Sequence, residues 1–134
     1  MVCVYCSGDT QVINSRFQKR VNHVWRRRKC LACGAIFTTH EGVSYAGSLL
    51  VQPTNGQPVP FYRDKLFVSV FKSCAHRPSA LTDATALTDT ILSKLLLKVQ
   101  QTAISTTDIT KTTYQTLQHF DRAAAVHYQA FHPF

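Results

Sequence analysis

Acidic side chains are scarce in this sequence. Its 134 residues carry 15 Lys and Arg against 7 Asp and Glu. The acids are scattered, and His119, His127 and His132 stand beside no recognisable nucleophile, so acid–base and nucleophilic catalysis are poorly supplied and no enzyme is expected. Long hydrophobic runs are absent too. Nothing approaches the roughly 18 apolar residues of a membrane span, which predicts a soluble chain with no membrane partner. Neither Gly-x-x-x-x-Gly-Lys-Ser/Thr nor Gly-x-Gly-x-x-Gly occurs, so phosphate binding would rest on Lys65, Arg63 and helix N-termini. An export signal is missing as well. Met1-Val2-Cys3 leaves no room for a charged segment followed by an apolar one, which predicts a reducing, cytoplasmic location.

What the sequence does hold is a pair of paired cysteines. Cys3-Val-Tyr-Cys6 is answered by Cys30-Leu-Ala-Cys33, enough for four thiolates on one tetrahedral Zn²⁺. Gly8 and Gly34 suit the tight turns around such pairs. Two disulfides would need an oxidising compartment, and a redox dithiol needs one pair in a strand–helix setting, not two in a strand-rich stretch. Four sulfurs leave no open coordination position, so the metal is structural. The fifth cysteine, Cys74, falls on an apolar stripe and reads as a small buried hydrophobe.

Charge is unevenly placed. The formal net charge is +8, and Zn²⁺ with four thiolates leaves about +6, a balance that favours a polyanion. Residues 1–46 hold Arg16, Lys19, Arg20, Arg26, Arg27, Arg28 and Lys29 against Asp9 and Glu41. Arginine forks bind phosphates bidentately and read guanine edges in the major groove. The candidate DNA contacts are therefore Arg16, Arg20, Arg26, Arg27, Arg28 and Lys29, with Trp25 among them either stacking or packing.

The pattern predicts an α+β chain. Thr10 to Phe17 and Asn22 to Arg28 read as antiparallel strands, with Ala35 to His40 as a third. So small a unit cannot close an apolar core, and zinc must supply most of its folding energy. After a connector at 42–48, Leu49 to Val51 and Val59 to Phe61 form a hairpin around Asn55-Gly56, the second strand an edge because of Pro60. Helical spacing follows. Leu66, Phe67, Val70, Phe71 and Cys74 make one apolar stripe. Leu87, Ile91, Leu92, Leu95, Leu96 and Val99 make another on a long helix opened by Thr82-Asp83. Ser105 to Asp108 resembles a capping box for a helix from Ile109 to about His119, and residues 121–131 form a fourth helix with Ala124, Tyr128 and Phe131 inward.

These residues together resemble a known family. Cys3-x-x-Cys6, Asp9-Thr10-x-Val12-Ile13-x-Ser15-Arg16, Arg26-Arg27-Arg28-x-Cys30-x-x-Cys33 and Phe37-Thr38-Thr39-x-Glu41 are similar to the ribbon of the NrdR transcriptional repressors of bacterial ribonucleotide reductase genes. Pro60 to Leu66, Arg77-Pro78-Ser79 and Ile104 to Ile109 look like that family's second domain, an ATP-cone. The resemblance implies a zinc ribbon over 1–45 that binds double-stranded operator DNA, and an ATP-cone over 46–134. The cone would bind ATP or dATP through Val51, Gln52, Arg63, Lys65 and Thr106 and control homo-oligomerisation. Three positions depart from the family: Gln52 lies where a lysine is common, Trp25 where a basic residue is common, and Ala125 where an aromatic is usual. The alternative reading is a zinc-ribbon module for RNA or RNA polymerase with a helical protein-contact domain.

Overall fold

A computed structural model describes residues 1–133; Phe134, the last residue of the expected second domain, lies outside the described residues. The chain divides into two units, Met1–Val43 and Ser44 onward.

The first unit is a three-stranded antiparallel sheet in the order β1-β2-β3, with β1 at Thr10–Gln18, β2 at His23–Cys30 and β3 at Ile36–Glu41. β-Branched and aromatic residues favour extended backbone here. The register runs from Thr10 opposite Cys30 to Gln18 opposite His23, with an irregularity between Val12 and Asn14 that leaves Ile13 as a bulge. Asn22 turns the first hairpin at φ +50°, a left-handed conformation asparagine tolerates. Only Cys3 and Cys30 are fully buried in this unit, while Val4, Tyr5, Ile13, Phe17 and Leu31 stay exposed. The sheet has no apolar core to hold it shut.

The second unit does have one. After a single 3-10 turn at Tyr45–Gly47 come β4 (Leu50–Gln52), β5 (Val59–Pro60), α1 (Arg63–Ser73), α2 (Ala80–Leu96), β6 (Ala103–Ser105), α3 (Thr106–Phe120) and α4 (Arg122–Phe131). The small sheet is ordered β5-β4-β6, with β5 an antiparallel edge and β6 parallel to β4. Leu66 and Val70 of α1 and Cys74 directly after it meet Leu87, Ile91 and Leu95 of α2, Leu117 of α3 and Ala124 and Tyr128 of α4 in one buried cluster. Cys74 is fully buried, as its position on the stripe requires.

The helix boundaries move by a turn or less, each for a local reason. α2 starts at Ala80, because Asp83 is occupied in accepting from Arg77 Nε at 2.9 Å and Ser79 Oγ at 2.7 Å. α3 starts directly after Ser105, whose hydroxyl accepts from the Asp108 N–H at 3.0 Å. Asp121 is the cap of α4, accepting from Ala123 and Ala124 N–H. Phe131, expected inward, is 71 % exposed. His132 covers Tyr128 instead, stacking on it at 4.2 Å between centroids.

Candidate functional site

The four cysteines converge. Their sulfurs all lie within 4.8 Å of one another, with Cys3 and Cys33 Sγ at 3.8 Å and Cys6 and Cys30 Sγ at 3.5 Å. Four sulfurs around one tetrahedral zinc would sit about 3.8 Å apart, so the cluster fits the ion. Each pair lies in a tight turn that aims backbone N–H groups at sulfur: Tyr5 N to Cys3 Sγ at 3.4 Å, Ala32 N to Cys30 Sγ at 3.3 Å and Cys33 N to Cys30 Sγ at 3.4 Å. Such donors favour thiolate. The Cys33 N–H above all, against desolvation and with help from the Ala32 N–H, lowers the Cys30 thiol to about 6, while at Cys6 the Gly8 N–H is outweighed by the neighbouring sulfurs of Cys30 and Cys33, which push its thiol up to about 11. At Gly8 a Cβ would stand 2.9 Å from Ala32 Cβ and 3.3 Å from the sulfurs of Cys6 and Cys30. Gly34 turns the second pair at φ +74°. Both glycines are therefore required by the metal-binding turns, one by space and the other by backbone conformation.

The sheet sorts the basic residues onto two faces. Cross-strand partners share a face and neighbours along a strand alternate, so Trp25, Arg27 and Lys29 of β2 lie with Arg16 and Asn14 of β1 and with Thr38 and His40 of β3. On this face Arg16, Arg27, Lys29 and His40 are exposed, and Trp25 is half-buried at the centre. Arg26 and Arg28 point the other way. Arg26 pairs with Glu41 at 3.5 Å, and Arg28 Nη1 donates to Thr10 Oγ1 at 3.3 Å, among half-buried Val24, Phe37 and Thr39. Arg20 lies outside the strands, in the hairpin turn. Reading the run Arg26 to Lys29 as one patch missed this division, although the period of two in Trp25-x-Arg27-x-Lys29 carries it. His23 and His40, not singled out in the sequence, have ring centroids 6.2 Å apart.

A cavity of about 520 Å³ opens in the second unit, a size that suits a small organic ligand. Three of the expected nucleotide contacts line it: Val51 from β4, Lys65 from α1 and Thr106 from α3. Apolar Pro53, Val59, Leu66 and Ile109 form much of the rest, with Thr110, Tyr128 and His132 adding polar atoms that sequence reasoning missed. Burial pushes the Tyr128 phenol up, keeping it a protonated donor. An apolar slot with a lysine in its wall suits an organic anion with one flat apolar part and one charged part. Gln52 and Arg63 do not line the cavity. The Gln52 amide donates to Pro53 O at 3.1 Å and Gly56 O at 3.5 Å, tying down the hairpin turn. Arg63 is ion-paired with Asp89 of α2.

Comparison with known proteins agrees with this division. The N-terminal domain of NrdR-like transcriptional repressors matches residues 1–41, and the ATP cone domain matches residues 49–132. A transcriptional repressor NrdR from Symbiobacterium thermophilum is 42 % identical over 91 residues, which is 68 % of this chain and 60 % of that relative. Proteins of the same name from Thermoanaerobacter sp. and Nitrosomonas eutropha are each 33 % identical over 129 residues, 96 % of this chain and 80 % and 79 % of theirs. These are names of regulators, not of enzymes. No helix among the described residues is long and apolar enough to cross a membrane.

Proposed function

The chain belongs to the NrdR family of transcriptional repressors, and from that membership we propose that it is a zinc-dependent repressor that binds operator DNA upstream of ribonucleotide reductase genes in the cytoplasm, under control of ATP or dATP. Residues 1–45 take the DNA and residues 46–134 take the nucleotide and set the oligomer. The observation that carries this reading is the open face of the ribbon, where Arg16, Arg27 and Lys29 surround Trp25 with no acid among them.

Phosphate contacts from these cations supply affinity without regard to sequence, and arginines reaching base edges add specificity. Arg26, neutralised by Glu41, contributes less than Arg27. In the cone, Lys65 meets the phosphates while the apolar walls hold the base, and Gln52 leaves that task to Lys65 because its amide is bound to the turn. A nucleotide changes DNA affinity only by favouring one assembly over another. Assemblies that place two ribbons at the spacing of two operator sites gain affinity through effective concentration.

Gel shifts on duplexes with paired and single sites, run over a range of salt, test the reading. Arg27→Ala is expected to weaken binding and reduce the slope of log affinity against log salt by about one, Arg26→Ala less, and Lys65→Ala to abolish the nucleotide effect without changing basal DNA binding. Equal affinity for structured RNA, or an unchanged slope in Arg27→Ala, would overturn it.

A further inference from the structure

We propose that the open face of the zinc-held sheet also binds single-stranded nucleic acid, stacking unpaired bases on Trp25 and His40. The inference rests on the nucleic-acid reading above and adds a ligand that a duplex does not present.

Trp25 lies in the middle strand β2, with Arg16 of β1 opposite it on one side and His40 of β3 opposite it on the other. The His23 ring stands 6.2 Å from that of His40, and it is held there by closeness to Gly42, where a Cβ would come within 2.7 Å of the ring. Three aromatic rings therefore share one face. Arg27 and Lys29 continue that face along β2, one cation every second residue, or about 7 Å. Glu41, the acid of β3, points to the opposite face and is taken by Arg26.

Aromatic rings beside a row of cations make the surface that single strands use, with bases on the rings and phosphates along the cations. An intact duplex offers the cations of this face its phosphates but keeps its stacked bases from the rings. The major groove is about 12 Å wide and admits a helix or a two-stranded ribbon. Three strands at about 4.8 Å spacing already span nearly 10 Å before side chains are added. A residue at the centre of such a face is kept from stacked base pairs, but bases that are already unpaired reach it freely. Packing accounts for Trp25 only in part: His23 is the one other half-buried strand residue on its face, while Val24, Arg26, Arg28, Phe37 and Thr39 gather half-buried on the other.

Trp25 is the single tryptophan, so its emission reports on this site. The zinc-loaded full chain is titrated with short oligothymidylate, with oligouridylate and with a mixed-sequence duplex at one salt concentration. Both single strands are expected to quench the emission at least twofold while the duplex leaves it nearly unchanged; quenching by oligothymidylate alone assigns the site to DNA. Trp25→Leu should weaken single-strand binding about 10- to 100-fold, and Trp25→Phe should restore most of it. Zinc content is measured for each variant. If Trp25→Leu loses its metal, His40→Ala, with an expected loss of about fivefold, takes its place. Single strands that bind without quenching, or a duplex that quenches as strongly, would overturn the proposal. Lost duplex binding with single-strand quenching intact would sink the repressor reading and leave this site standing.

Discussion

The ribbon and the cone bring distant strands together with different materials. In the ribbon the fully buried side chains are Cys3 and Cys30, so one metal ion stands in for a core. In the cone, Ile91, Leu95, Ile104 and Leu117 are almost completely buried in a single cluster, and packing does the work. The difference governs where each unit keeps its function. A sheet held by zinc at one end has side chains to spare, and its open face carries cations and aromatics. A unit held by packing must turn its best residues inward, so its candidate site is a cavity let into the core's edge.

The strongest way to break the contrast is to remove the metal. Structural zinc contributes on the order of 10 kcal/mol or more to a domain of this kind. A strong chelator should therefore unfold residues 1–43 and abolish DNA binding, while helical circular dichroism from α1 to α4 is retained. A chelator-resistant gel shift would show that the ribbon holds itself. The converse is Leu95→Ala, which should cost the cone about 2–5 kcal/mol in chemical denaturation and leave zinc content unchanged. Loss of zinc in that variant would show that the units do not fold separately.

A smaller effect sharpens the contrast through pH. Asp121 accepts from His76 Nε2 and Arg77 Nη1, each at 2.9 Å, and these bonds, with His76 the larger, hold its carboxyl well below the usual range. The folded cone then binds fewer protons here than the unfolded chain. The stabilisation is complete above the ordinary carboxylate pKa near 4 and is lost as pH falls below it. Asp121→Asn keeps an acceptor for the α4 cap, and should flatten the acid limb of the cone's stability curve. An unchanged limb would place the acid sensitivity elsewhere, with Asp83 the next group to test, since Arg77 and then Ser79 lower its carboxyl too.

The ribbon was the more legible half, because cysteine spacing and turn glycines encode metal geometry almost residue by residue. The cone hid more. β6 is three residues long and pairs with β4 from some fifty positions away, too short to show a period. The buried face of α3 was invisible for another reason. Thr110, Thr112, Thr113 and Thr116 read as polar yet are buried, with Thr110 Oγ1 donating to Thr106 O at 3.0 Å and Thr116 Oγ1 to Thr112 O at 2.8 Å. Lys98 and Lys94 Nζ reach Thr112 and Thr116 at 2.9 and 3.1 Å. A threonine bonded to its own helix buries its methyl as a small hydrophobe would. Among the expected nucleotide residues, Val51, Lys65 and Thr106 share the cavity, while Arg63 and Gln52 were drawn to Asp89 and to the hairpin turn, partners that no local pattern reveals.

The parallel pairing of β4 with β6 also sets a timetable for the growing chain. Val51 stands in register with Ile104 and Gln52 with Ser105, so one wall of the cavity waits for the other until β6 has left the ribosome. The metal needs only the segment ending at Cys33. Each new molecule thus has its four ligands in hand some seventy residues before the two walls of the cavity can meet.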